Sequence, residues 1–380
     1  MIERQRILLV LPGMDLGGAE SHVAQLARAL KAAKWEVEVA SGGGVLAKEL
    51  EKEGIPHHWV PIRWGYKLST WRLRKVVKNG RFALVHAHSN ATGPMVADVC
   101  KEFGLPWIYT AHTGIRPPRM ECFGEASRIL AVSDFNRRMV LDQGADFITP
   151  ERVVTLHNAI DCDYFTPQGK RAEMRAQWGV EPKDYVIGIV ARLLKPERKG
   201  HLALLQVLAR PEAKNWRLAI IGKYAWWYGG TRKVQKRAEK LGVADRVIWV
   251  GHQVDVRPAL EGCDVVALPS VAESFGLALA EAMAMKKPVV AYEGSGTNEV
   301  IGQKEGGILV PNQDIQALEE ALECMESPYY RELMGNFARE RIERLYGLPR
   351  FMDRLLKIYH EVLKDKNRIW ESLHTNPDHK

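Results

Sequence analysis

The sequence has little cysteine. Its 380 residues hold five, Cys100, Cys122, Cys162, Cys263 and Cys324, scattered and without a CxxC pair. Reduced thiols are expected, not a disulfide or zinc framework. No apolar run reaches the roughly 18 residues of a membrane span. The first such run, Ile7 to Leu11, is too short for a signal-peptide core and stops at Pro12-Gly13, so a cytoplasmic location is the expectation. No GxGxxG follows the first strand-like run and no GxxxxGK[ST] occurs anywhere, which counts against dinucleotide and P-loop chemistry. No helix-turn-helix, RRM or zinc-finger pattern stands behind the net charge of +8, so nucleic acid is not the expected partner. Internal repeats are missing, and the one biased tract is a polar tail after about Ser372.

What is present is alternation. RILLVLP, VEVAS, FALVHAH, WIYTAH, RILAVS and RVVTLH are short apolar runs separated by amphipathic stretches. One such stretch, Ala19 to Ala33, carries Val23, Leu26, Ala27 and Leu30 at helical spacing. Strand–helix alternation predicts a parallel sheet covered on both faces. The pattern lapses in the polar stretch between Ile160 and Asp184, then restarts with YVIGIVAR, WRLAIIG, RVIWVG, DVVALPS and KPVVAY. After a further run, GGILVP, three helical stretches lead to the C-terminus. Single cores stop growing at about 250–300 residues. Two doubly wound α/β domains are therefore expected, 1–165 and 166–347. Ligands of such sheets bind just beyond the strand C-terminal ends.

Three segments fall at those ends. In LPGMDLGGAESHV, Gly17-Gly18 precede a helix start, as in a phosphate-facing turn; a tight turn without a ligand explains them equally well. Gly42-Gly43-Gly44 read as a plain loop. In IVARLLKPERKGH, Arg192 and Lys199 can neutralise a diphosphate, one by bidentate contact and one as a point charge; a solvated basic loop is the competing reading. In AESFGLALAEAMA, Glu273 is expected in a loop at the end of the strand DVVALPS, and Phe275-Gly276-Leu277 open a helix; Glu281 stands among apolar residues, where a carboxylate needs a partner. Counted as one helix, the two acids lie about 80° apart, within reach of one ligand rich in vicinal hydroxyls, such as a sugar nucleotide. A satisfied buried acid is the plainer account of Glu281.

The chain resembles the retaining glycosyltransferases of family 4 (glycosyl transferases group 1) over nearly its whole length. The strongest marker is E-x7-E at Glu273 and Glu281, followed by AMA and PVVA. GGAE at 17–20, VSDFNR at 132–137, NAID…F at 158–165, R…KG at 192–200 and SGTNEVI at 295–301 support it. The resemblance implies the GT-B fold: two Rossmann-like domains facing a central cleft, with C-terminal helices from about 348 to 372 packed back on the first domain. It implies transfer of a sugar from a nucleotide diphosphate sugar to an acceptor hydroxyl with retention, in cell-surface glycan, lipopolysaccharide or glycolipid synthesis. By it, Glu281 would bind the donor ribose and Glu273 a hydroxyl of the transferred sugar. Backbone groups of Phe275, Gly276 and Leu277 would hold sugar and phosphate oxygens. Arg192 and Lys199 would carry the diphosphate, Gly17 and Gly18 would approach the donor, and His112 would lie near the sugar. No metal or other cofactor is implied.

The sequence also departs from the family pattern. Lys286 replaces a glycine before PVVA, Ser295 replaces the first glycine of a pair, and GKYAWWYGG puts Trp226, Trp227 and Tyr228 in a loop that normally reads GxGP. Asp161-Cys162-Asp163 spells DxD, a metal–nucleotide motif of another glycosyltransferase fold, but no other carboxylates cluster around it. His86 and His88 hint at zinc, yet no third ligand stands beside them in sequence. From Arg63 to Arg81 there are seven Lys/Arg and no acid, interleaved with Trp64, Tyr66 and Trp71. A solvated helix with core aromatics is one reading. Peripheral contact with an anionic membrane, beside a glycan or lipid-linked acceptor, is the other. Two rival functions stand: a GT-B sugar-nucleotide epimerase and a non-enzymatic basic binding module.

Overall fold

The computed structural model describes residues 5–15, 17–117, 119–224, 229–303 and 305–374. The loop residues Trp226, Trp227 and Tyr228 lie outside them. The chain divides into two compact units, 1–159 with 349–380, and 160–348.

The first unit is built on seven parallel strands: β1 (Arg6–Val10), β2 (Glu36–Ser41), β3 (His57–Trp59), β4 (Leu84–Ala87), β5 (Trp107–Ala111), β6 (Arg128–Ala131) and β7 (Val153–Thr155). Their order is β3-β2-β1-β4-β5-β6-β7. Residues of β1, β4 and β5 are buried almost without interruption, as helices on both faces require. Only β3, the three-residue HHW, has no apolar run to announce it. It is held by pairing with β2, from Val39↔His57 to Ser41↔Trp59.

The second unit has six parallel strands: β8 (Tyr185–Val190), β9 (Trp216–Ile221), β10 (Val247–Gly251), β11 (Val265–Leu268), β12 (Val289–Tyr292) and β13 (Gly307–Val310). Their order is β10-β9-β8-β11-β12-β13. Each sheet reverses direction of growth once, between β1 and β4 in the first unit and between β8 and β11 in the second. Those are the topological switch points at which such sheets bind ligands.

The sequence reading put the junction at 165/166; the compact units part at 159/160. The reason is local. Ile160 N–H donates to the Tyr346 carbonyl at 2.8 Å and its own carbonyl accepts from Leu348 N–H at 3.1 Å. Arg339 Nη2 donates to the Cys162 carbonyl at 2.8 Å. Residues 160–165 are thereby tied to the second unit. The helix Leu348–His374 belongs with the first unit. Its Tyr359 is fully buried, and the hydroxyl lies 2.7 Å from His86 Nδ1. Its Arg354 donates to the Thr155 carbonyl at 2.8 Å. Among the described residues no helix is long and apolar enough to cross a membrane.

Candidate functional site

In the second unit the sequence-predicted residues gather on the two loops that leave the switch point. The loop after β8 carries Arg192, which is exposed and has no ion pair among the described residues. A short helix, Pro196–Lys199, ends in Lys199, and Gly200 turns the chain at φ +89° into the helix His201–Leu208. Gly200 is required there: a Cβ would lie 2.4 Å from the Pro269 carbonyl oxygen. The β8 loop can therefore lie directly on the β11 loop, and Val271 N–H donates to the Arg198 carbonyl at 2.9 Å.

That contact positions an ion pair. Lys199 Nζ stands 2.6 Å from Glu273 Oε1, with Glu273 the more buried partner. A partly exposed pair contributes only about 0–1 kcal/mol to stability. Its effect is to aim an ammonium and a carboxylate at one place. Glu273 lies in the loop after β11, as its place behind DVVALPS predicts. The helix covers Leu277–Ala284 only, after Gly276 at φ +101°, so the angle computed for a continuous helix does not apply to Glu273. Phe275 is buried and packs edge-on against Tyr346 at 5.4 Å. Its ring is committed to the core, which leaves its backbone to the loop.

Glu281 does lie within the helix, half-buried among Leu279, Ala280, Ala282 and Met283. Its carboxylate meets no hydrogen-bond partner among the described residues. Burial pushes that carboxyl up to about 7. A desolvated acid without a partner costs stability, so the position asks for a ligand group that can hydrogen-bond to it.

A third loop, after β12, closes against the second. Gly296 N–H donates to the Glu273 carbonyl at 2.9 Å, and a Cβ on Gly296 would lie 2.2 Å from the Ser274 oxygen. Ser295 is buried, with its Oγ 3.0 Å from Thr297 Oγ1, which in turn donates to the Tyr292 carbonyl. The serine found in place of a glycine is thus absorbed into the turn. Asp161 of the DxD sequence accepts from the backbone N–H groups of Asp163 and Tyr164 at 3.1 and 3.0 Å, which is the work of a turn-forming aspartate.

In the first unit Gly17 caps the helix Gly18–Ala32 without a side-chain hydrogen bond, and a Cβ on it would lie 2.5 Å from a carboxylate oxygen of Glu20. The Gly42-Gly43-Gly44 run is more than a plain loop. Gly43 O accepts from Met14 N–H at 2.8 Å, and a Cβ on Gly44 would fall 2.3 Å from the Met14 carbonyl carbon. It is a seat for the loop that carries Gly17. His112 follows β5 directly. His88 follows β4, and His22 lies on the helix beside them. His88 Nδ1 is 3.4 Å from His112 Nε2, and the rings of His22 and His112 meet edge-on at 5.1 Å. Burial lowers His22 to about 4 and His86 to about 3, and holds His88 and His112 well below the usual imidazole value. In all four, burial favours the neutral ring. Sequence spacing could not show this cluster, since its members come from separate strands and a helix.

The region 63–81 forms a 3-10 turn and the helix Tyr66–Gly80. Its aromatics are not core: Trp64 is 76% exposed, and Tyr66 and Trp71 are exposed as well. Lys75 Nζ stands 3.8 Å over the Trp71 ring. Arg74 is paired with Glu102 at 2.7 Å.

Comparison with known proteins adds the lineage. Residues 170–341 match the model of Glycosyl transferases group 1, and residues 16–164 match that of Glycosyltransferase Family 4. A D-inositol 3-phosphate glycosyltransferase of Saccharomonospora viridis is 30% identical over 75% of this chain and 71% of its own length. One from Mycobacteroides abscessus is 29% identical over 82% and 74%. Anabaena HepE, solved in complex with UDP and glucose, superposes with a TM-score of 0.82 at 21% identity, covering 94% of this chain and 99% of that one. Two parallel α/β units of the GT-B type, two contiguous family matches and relatives at this identity lead to one conclusion: the chain belongs to the group 1 glycosyltransferases of the family 4 type.

Proposed function

We propose that the protein transfers a sugar from a nucleotide diphosphate sugar to an acceptor hydroxyl with retention of anomeric configuration, and without a metal ion. The observation that carries this reading is the 2.6 Å Lys199–Glu273 pair, which brings a cation for phosphate and an acceptor for a sugar hydroxyl together at the switch point of the 160–348 sheet. Lys199 and Arg192 neutralise the diphosphate. The N–H groups at the start of Leu277–Ala284 add donors for its oxygens. Glu273 accepts from the transferred sugar and Glu281 from the ribose. His112 serves the transferred sugar, and the Gly17-Gly18 turn serves the donor. As the bond from the anomeric carbon to the leaving phosphate breaks, the acceptor oxygen bonds to that carbon on the same face, and the departing phosphate takes the acceptor proton. No residue is assigned as a covalent nucleophile. The charge that develops on the phosphate is met by preplaced cations and dipoles.

UDP and glucose in the HepE structure make a UDP-sugar the first donor to test. The inositol phosphate named for the two relatives makes a phosphorylated polyol the first acceptor. A donor at 100 times its Kd stabilises by ~2.7 kcal/mol, so a thermal-shift screen of UDP-, GDP- and ADP-sugars will select one base. Transfer should then persist in EDTA, and NMR of the product should show the donor's anomeric configuration. Donor conversion without any acceptor would favour the epimerase. Strict divalent dependence abolished by Asp161→Ala would restore the DxD reading.

A second reading concerns the acceptor. The exposed Trp64, Tyr66 and Trp71, flanked by Lys67, Arg72 and Lys75, suit an anionic membrane surface, where aromatic side chains settle and each cation adds ~1 kcal/mol. Co-sedimentation with phosphatidylserine vesicles should fall with salt and fall again in Trp64→Ala/Trp71→Ala. Equal recovery of wild type and variant in the supernatant at low salt would leave a soluble acceptor.

A further inference from the structure

We propose that His22, His88 and His112 form a binding site for one transition-metal ion of the zinc, cobalt or copper kind. Each of the three offers a ring nitrogen, and these atoms lie within 4.8 Å of one another. The separation of His88 Nδ1 and His112 Nε2, 3.4 Å, is long for an N–H···N hydrogen bond. It matches two corners of a tetrahedral site, since ligands at 2.0–2.1 Å from zinc stand about 3.4 Å apart. His22 offers the third nitrogen, within 4.8 Å of the other two. The remaining nitrogen of His88, Nε2, is buried and has no hydrogen-bond partner among the described residues, so none of them fixes that ring's tautomer through it.

The surroundings hold the cluster in place. His86 packs against His88 with ring centroids 4.0 Å apart and the planes tilted by 34°. Both of its nitrogens are already engaged, with the Tyr359 hydroxyl and with Thr110 Oγ1, each at 2.7 Å. It is a support for the site and not a ligand. His88 and His22 are buried, while His112 is partly exposed, which leaves one side open to an entering ion and to a fourth ligand. Three imidazoles with no carboxylate among them select borderline ions over magnesium or calcium. If transfer uses His112 as proposed above, a bound ion occupies that ring. Micromolar zinc should then inhibit an enzyme that needs no metal. This consequence rests on the glycosyltransferase reading; the binding itself does not.

Cobalt titration of the chelator-treated full chain separates the two. One equivalent of Co2+ should bind with the visible d–d bands of a tetrahedral nitrogen site and no thiolate charge-transfer band. His22→Gln and His88→Gln should weaken binding about tenfold or more, with unchanged circular dichroism in chelator, and His252→Gln should not. In the wild type, zinc should protect His22, His88 and His112 from diethylpyrocarbonate, read peptide by peptide, which serves if the variants do not fold. Unchanged cobalt affinity in folded His22→Gln and His88→Gln, a thiolate band, or protection elsewhere would overturn the site. Binding as expected without zinc inhibition of transfer would keep the site and remove the consequence drawn for His112.

Discussion

Glu281 sits in a helix whose other side chains are small or apolar, and its carboxyl is lifted to about 7 by burial. The unfolded value is about 4.3. The folded chain therefore holds this proton to higher pH than the unfolded chain. Its contribution to stability is fully present below the unfolded value and is lost as pH rises towards 7. Donor binding should reverse that penalty, because the ionised form is the stronger acceptor for a ribose hydroxyl. Donor affinity should climb between about pH 6 and 8 with proton release, and Glu281→Gln should flatten the climb. Calorimetry in two buffers of different ionisation enthalpy reads both. A wild type that releases no proton would leave Glu281 outside the donor site. This residue was legible in the sequence, because a lone acid in an apolar helix is conspicuous. The histidine cluster was not: nothing in the spacing of His22, His88 and His112 says that they meet.

At the end of the helix Leu277–Ala284, Lys286 takes φ +57°, the left-handed conformation that glycine adopts without strain. The sequence flagged Lys286 as a departure from a glycine, and the backbone shows what the departure costs. A non-glycine residue there is strained by roughly 1–2 kcal/mol. The greater freedom of glycine in the unfolded chain returns part of that. Lys286→Gly should raise the unfolding free energy by about 1 kcal/mol, seen as a shift of the denaturant midpoint at constant m. A lower midpoint would mean that the lysine side chain holds something the helix end needs. Elements with long apolar runs were predicted from sequence because burial on two faces writes itself as continuous hydrophobicity. β3 was missed because a short edge strand needs only pairing with β2. The helical angle assigned to Glu273 failed because Gly276 starts the helix after it.

Across the whole molecule, the two α/β units were readable from the lapse of pattern after Ile160, while their division at 159/160 was not. That division depends on hydrogen bonds from Ile160 to Tyr346 and Leu348, far along the chain. The same limit applies to the site. Sequence named Arg192, Lys199, Glu273 and Glu281 one by one, and the parallel sheet joins their loops beside one switch point. The central claim is that this switch point binds a nucleoside diphosphate. Arg192 is exposed and free of ion pairs among the described residues, so Arg192→Gln should fold as the wild type does. The decisive measurement is equilibrium titration of UDP, GDP and ADP into the two proteins with EDTA present. One nucleotide should bind the wild type at one site per chain, and Arg192→Gln should bind it roughly ten- to 150-fold more weakly, the loss of one charged hydrogen bond worth about 1.5–3 kcal/mol. Equal affinity of the two proteins, or no binding of any of the three nucleotides by a folded wild type, would contradict the account.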